Sequence, residues 1–155
     1  MRPKVLSFTT VFPRAGGERQ GTFVRARLEA AAAHAEIQVM APVAVVEYGN
    51  AGRALPPLAG IPLKRAEGGL VIHHPRWFYP PLMNPATPWW LYRACRGPAQ
   101  RLREEFRFEL IDAHWGHPEG GAAARLARGA GVPFTVRLRD NETEHARSPA
   151  RRRAL

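Results

Sequence analysis

Lysine is almost missing from this sequence: Lys4 and Lys64 are the only two, although Lys and Arg together number 23 in 155 residues. GC-rich coding favours that skew, as it favours Ala, Gly and Pro. Cysteine is scarcer still. Cys95 stands alone, which rules out an internal disulfide and fits a reducing compartment. No apolar run is long enough to span a bilayer, and Met1-Arg2-Pro3-Lys4 leads straight into a strand-like segment, so no signal peptide is expected. Internal repeats and low-complexity segments are absent. Acidic residues number 13, leaving a formal net charge of +10. That excess attracts anions in general. Phosphates, nucleotides, nucleic acid and acidic membranes all qualify, and charge alone does not choose among them.

What is present is the pattern of an α/β domain with room for one real core; apolar residues make up 45% of the chain. Residues 5–10 form a first strand-like run. A loop with Pro13, Gly16, Gly17 and Gly21 follows, and Thr22 is placed to cap a helix over 23–34. Val24, Leu28 and Ala31 form its apolar stripe, with Arg25 and Glu29 off it. Residues 36–40 alternate as a second strand and 70–74 read as a third. The segment 43–68 reads as a long loop with one short helical turn. Aromatic residues interleave with arginine and proline over 76–92. They make either a loop folded onto the core, with Trp89 and Trp90 opening a buried helix, or a lip for an acceptor or a membrane surface. A helix over 89–106 should break or kink at Gly97-Pro98. Its residues Arg101, Arg103, Glu104 and Glu105 read as a solvated face, and Cys95 as a small buried residue.

The most informative stretch is 110–142. Strand four spans 110–113, Pro118 suits a first helical position, the helix ends at Gly129 or Gly131, and strand five spans 134–138. Polar residues cluster just after each strand, at the carboxyl edge where open α/β sheets bind ligands. The loop glycines match neither a Walker loop nor the dinucleotide fingerprint, but glycines before a helix start can turn backbone N–H groups toward an anion. Residues 148–155 open a helix with Ser148, Pro149 and Ala150 and stop after five more, which suggests a truncated chain.

Three motifs in order resemble the start of family 4 glycosyltransferases. They are Phe12-Pro13-x-x-Gly16-Gly17 with Gly21-Thr22-Phe23 entering the first helix; Ile111-Asp112-Ala113-His114 running to Pro118-x-Gly120; and Val132-Pro133-Phe134 running through Arg139 to Asn141-Glu142. The resemblance implies a Rossmann-like open parallel sheet of order 3-2-1-4-5 flanked by helices, half of a GT-B fold. Residues 1–147 would be its amino-terminal, acceptor-side domain and 148–155 the start of a cut helix, with the nucleotide-binding carboxyl-terminal domain missing. The implied activity is retaining transfer of a sugar from a nucleotide-sugar to a glycan or lipid-linked acceptor, in the cytoplasm and peripheral to the inner face of the membrane, with no metal cofactor; the chain alone would be inactive. Carried over residue by residue, Gly16, Gly17 and Gly21 would face the donor diphosphate or the acceptor. His114 would be the catalytic-site residue that positions the transferred sugar. His117, Arg139, Asn141 and Glu142 would line the acceptor cleft. Asp140 stands where the family has glycine.

Two other classes are weighed beside this one. A basic nucleic-acid-binding or phosphate-binding module fits the charge, but the arginines are dispersed and no RNA-binding signature appears. A metal hydrolase would use His114 with His117, or His73 with His74, but no third ligand is evident. Cys95 lacks a neighbouring histidine for nucleophilic work.

Overall fold

A computed structural model of the chain describes residues 1–15, 17–45, 58–79 and 84–138. In chain order its elements are β1 (Lys4–Phe8), α1 (Thr22–Ala31), β2 (Glu36–Met40), β3 (Val43–Ala44), β4 (Lys64–Glu67), β5 (Leu70–His73), β6 (Arg76–Trp77), α2 (Thr87–Glu105), β7 (Leu110–Ala113), α3 (Gly121–Ala130) and β8 (Phe134–Val136). The main sheet has six strands in the order β4-β5-β2-β1-β7-β8. Five run parallel, and β4 pairs antiparallel with β5 through the turn at Gly68 and Gly69. A separate parallel pair joins β3 to β6. The expected five-stranded sheet is thus extended by an edge strand. The segment read as a long loop supplies β3, a 3-10 turn at Leu58–Gly60 and β4, apart from its portion 46–57, which lies outside the described residues. Charged Lys64, Arg65 and Glu67 hide β4 from a periodicity search, and such charge is what an edge strand needs to resist further pairing.

Strand alternation sends side chains to two faces. On one, Leu6 and Phe8 of β1 and Ile111 and Ala113 of β7 meet Leu91, Cys95, Ala99 and Leu102 of α2 and Ala122, Ala123, Leu126 and Ala127 of α3. Small alanines on α3 let that helix lie close to the sheet. On the other, Val39, Leu70 and Ile72 pack with Val24 and Leu28 of α1 and with Phe12. The paired register makes this second face change character across the sheet. One row reads Ile72, Val39, Ser7, Asp112, Thr135. The apolar half takes α1, and the polar half carries a hydrogen-bond network.

Several boundaries differ from expectation for local reasons. Helix α1 starts at Thr22, with Gly21 rather than Thr22 at the cap position and no side-chain cap. Gly21 has φ +70, and a Cβ there would lie 2.2 Å from the carbonyl oxygen of Val11, so only glycine fits. Helix α2 runs as one 19-residue element through Pro98 instead of ending or breaking there. Pro118 lies one turn before α3, in a π-type turn at Gly116–Gly120, and follows a cis peptide bond. Gly131, at φ 65, ends α3 as a left-handed cap, with Val132 N–H reaching back to Ala127 O. Trp89, expected to open a buried helix, is 42% exposed, with Arg93 stacked on its ring.

Replacement of Leu28 or Leu91, both buried, by alanine is expected to lower unfolding free energy by about 2–5 kcal/mol in urea titrations, whereas Trp89→Ala should change it by about 0.5 kcal/mol or less. A loss at Trp89 equal to that at Leu91 would contradict the assignment of the α2 faces.

Candidate anion-binding site

The loop that follows β1 turns back on itself before α1. Gly17 N–H donates to Arg14 O at 2.9 Å, and Gln20 N–H donates to Gly17 O. The N–H of Gly17 is therefore committed inside the turn and does not face an anion. Gly21 serves the cap geometry described above, and Gly16 lies outside the described residues. The glycines shape the loop, and side chains supply the cations.

Those side chains converge on a pocket of about 340 Å³ lined by Pro13, Arg14, Glu18, Arg25, Arg65 and Glu67, among others. Three arginines reach it from three places: Arg14 from the loop after β1, Arg25 from α1 and Arg65 from edge strand β4. Arg25 pairs with Glu67 at 2.5 Å and with Glu29 at 2.8 Å. Arg65 pairs with Glu67 and also bonds Pro13 O and the Nε2 of His74. Burial, then the charge of Arg25, holds the Arg65 guanidinium below its ordinary pKa. Burial and then Arg14 act the same way on Arg76, which stands close behind the pocket wall, bonding the carbonyls of Leu58 and Ile61. Arg25 adds to the burial of Arg65, and Arg14 to that of Arg76, so cationic charge is gathered at this pocket beside the carboxylates of Glu18 and Glu67 that also line it. Planar guanidinium groups suit phosphate because they bind it through two parallel hydrogen bonds.

His114 lies at the end of β7 and is fully buried. Its Nε2 is 2.9 Å from Ser7 Oγ, and its Nδ1 is 3.4 Å from Arg27 Nη1. Because arginine only donates, Nδ1 is the acceptor and Nε2 carries the proton. Asp112 accepts from Arg27 at 2.8 Å and from Thr135 at 2.8 Å. Serine, histidine and aspartate therefore meet, but not as a hydrolytic triad. The nearest Asp112 oxygen lies 3.7 Å from the same Nε2 that faces Ser7, and Ser7 is itself buried. His114, expected to contact a sugar, is enclosed in the interior, where it ties β1, β7 and α1 together. His117 is half-buried in the π-type turn and does not line the arginine pocket. Arg139, Asn141 and Glu142, with Asp140 and the helix start at 148–155, lie outside the described residues.

The histidine pairs are engaged elsewhere too. His73 Nε2 is 2.8 Å from Gln38 Oε1. His74 Nδ1 is 2.8 Å from Ala41 O while Arg65 donates to its Nε2, so Nδ1 holds the proton. Burial first, then nearby cations, lowers the pKa of His74, and burial lowers that of His73. Among the described residues no group of three or more His, Cys, Asp or Glu is arranged to hold a metal. Cys95 is buried, and burial pushes its thiol pKa up, which leaves it unreactive. No described helix is long and apolar enough to cross a membrane.

One buried acid was not singled out in the sequence. Glu119, the x of Pro118-x-Gly120, is fully buried between the carboxyl ends of β1 and β7. Its Oε1 accepts from Thr10 N–H at 2.5 Å, Thr10 Oγ1 at 2.8 Å and Thr9 Oγ1 at 3.4 Å; its Oε2 accepts from His114 N–H at 3.2 Å. Burial raises its pKa to about 8 against the opposing pull of those donors. Nothing in the sequence marked Glu119 as an interior acid, nor Arg14, Arg25 and Arg65 as neighbours; chain-distant residues meet only through the sheet order.

No protein-family model matches the chain, and no curated protein matches it. Among solved structures, the chain is similar to the C-terminal domain of a hydrogenase from Pyrococcus furiosus, with a TM-score of 0.51 and 11% identity over 88% of this chain and 91% of that one. At that identity the likeness is one of fold alone. It overturns the family 4 glycosyltransferase resemblance: the three motifs are met by no family model, and the fold likeness is to a hydrogenase domain. What stands, among the described residues, is a mixed α/β domain with a six-stranded, mostly parallel sheet and three α-helices.

Glu119 gives a pH signature. Its folded pKa lies above the ordinary 4.5, so the folded state holds the proton more tightly than the unfolded state. Its contribution is complete below pH 4.5 and is lost as pH rises through about 8. The slope is up to about 1.4 kcal/mol per pH unit, levelling off above the folded pKa. His73 and His74 have pKa values lowered from 6.5, so their contribution grows as pH rises toward 6.5 and is largely flat above it. The thermal midpoint of the wild-type chain should therefore fall from pH 6.5 to 8 relative to Glu119→Gln, and parallel curves for the two would contradict the assignment.

Proposed function

We propose that this chain is a Rossmann-like binding domain whose arginine pocket takes the phosphate groups of a small ligand, a nucleotide-sugar being the form that unites the charge with the polar edge of the sheet. The observation that carries it is the convergence of Arg14, Arg25 and Arg65 on one pocket at the end of the loop after β1. The pocket is near the lower size limit for small-molecule sites, large enough for a diphosphate and part of what it bears. Glu67, shared between Arg25 and Arg65, holds the two guanidinium groups in place, with Glu29 as a second partner of Arg25. Sugar transfer belongs to this reading as its second half: the pocket binds the leaving diphosphate, and positive charge there stabilises it as it departs. Cytoplasmic placement and contact with a glycan or lipid-linked acceptor are part of the same proposal.

Isothermal titration with UDP-glucose, inorganic pyrophosphate and a short single-stranded RNA tests it. UDP-glucose and pyrophosphate should bind at one site. Arg14→Ala and Arg65→Ala should each weaken binding about tenfold or more, because a hydrogen bond to a charged group contributes about 1.5–3 kcal/mol. Unchanged affinity in the double variant would remove the pocket from the account. Tight RNA binding with a steep loss in added salt, and none for the small ligands, would favour a nucleic-acid module instead.

A further inference from the structure

The parallel ladder ends where the chain changes direction. Helix α1 carries the chain from β1 to β2 on one side, and the later strands β7 and β8 lie on the other, so the switch point falls between β1 and β7. In open α/β sheets this crevice is the usual seat of a ligand. Here Thr9 N–H is still satisfied by Met40 O of β2, but Thr10 N–H lies past the last ladder bond. Thr10 N–H, Thr10 Oγ1, Thr9 Oγ1 and His114 N–H all aim at one point, and Glu119 stands there. Thr10 gives both its N–H and its hydroxyl to Glu119, while His114 N–H is shared with Phe8 O at 3.3 Å and the Thr9 hydroxyl with Val11 O at 3.2 Å, so the carboxyl group sits in a cradle of donors rather than a single salt bridge. Among the described residues no cation bonds it; the nearby Arg27 is committed to Asp112 and His114.

We infer that Glu119 is a tethered carboxyl group seated in the switch-point crevice, that the cradle would accept the carboxyl group of a free small acid in its place, and that through Thr9 and Thr10 it positions the loop carrying Pro13 and Arg14 to the arginine pocket. Thr9 and Thr10 immediately precede that loop. Thr9 Oγ1 also braces it, accepting from Val11 N–H at 3.1 Å and lying 3.2 Å from Val11 O. Fixing Thr10 thus fixes the approach of Arg14. A ligand anion is excluded from the crevice because the crevice is already filled, which leaves the arginine pocket as the phosphate site. Only the positioning role rests on that pocket being the ligand site; the cradle stands without it.

The test uses Glu119→Ala and Glu119→Gln in the full chain. Glu119→Ala should melt lower than the wild type. Sodium formate should raise its midpoint saturably and by several degrees more than it raises the wild type, with sodium chloride matching ionic strength. Equal gains in both proteins, or none, would overturn the cradle. Should Glu119→Ala fail to fold, Glu119→Gln decides by NMR. Above pH 8, where Glu119 is ionised, the Thr10 amide proton should resonate far downfield in the wild type and move upfield in the variant, because its acceptor loses charge; an unmoved resonance would overturn the assignment. For positioning, pyrophosphate affinity of Glu119→Ala should drop about tenfold and recover in formate relative to wild type in the same formate. Unchanged affinity would sink that half. Absence of pyrophosphate binding by the wild type would refute the pocket, while formate rescue and the Thr10 resonance would still decide the cradle.

Discussion

A backbone N–H that leaves water without finding an acceptor costs more than most contacts return, and this constraint bites hardest at the carboxyl end of β1. The ladder satisfies Thr9 and then stops, and the half-buried Thr10 N–H lies past it. The turn at Gly116–Gly120 brings Glu119 to that spot. The same carboxyl group reaches His114 N–H at the end of β7. One acid therefore closes the ends of both central strands and settles where the loop after β1 begins. Placement of Arg14, and with it the pocket, descends from that junction.

The second organising fact is the change of polarity along one face. Ile72 and Val39 receive α1 through Val24 and Leu28, while Ser7, Asp112 and Thr135 continue the same row with groups that must be hydrogen-bonded. Arg27 spans the boundary, rooted on α1 and bonded to Asp112. His114 and Ser7 close the network inside. The opposite face is apolar and takes α2 and α3. Half a face devoted to polar pairing uses residues a small domain would otherwise spend on core, and Arg27, Asp112 and His114 bind its three elements to one another instead.

Alternation over 36–40 and 70–73 made β2 and β5 legible in the sequence, and the glycines at 129–131 marked the end of α3. Pro118 misled, because a proline suits a helix start by its fixed φ whether or not the helix has begun. Pro98 misled in the other sense: α2 is held against the sheet by Leu91, Cys95, Ala99 and Leu102 strongly enough to carry a proline. Strand β4 was invisible because its residues are charged and an edge strand needs no apolar stripe. At the loop after β1, Gly17 N–H is used within the turn, and the cations lining the pocket are side chains from Arg14, Arg25 and Arg65, which no glycine pattern could reveal. Arg25 lay off the apolar stripe of its helix, which marks a solvent-side residue but not what it faces. The motif likeness failed for a related reason. Strand ends followed by His, Asp and Gly recur wherever a parallel strand feeds a helix, so they report the fold before they report a family.

Soaking a crystal of the chain with inorganic pyrophosphate measures the central claim most directly. The account places the diphosphate between the guanidinium groups of Arg14, Arg25 and Arg65, with Glu119 undisturbed in its crevice. Density for pyrophosphate at the end of β7 beside Thr10 and His114, with Glu119 swung out and the arginine pocket empty, would contradict it.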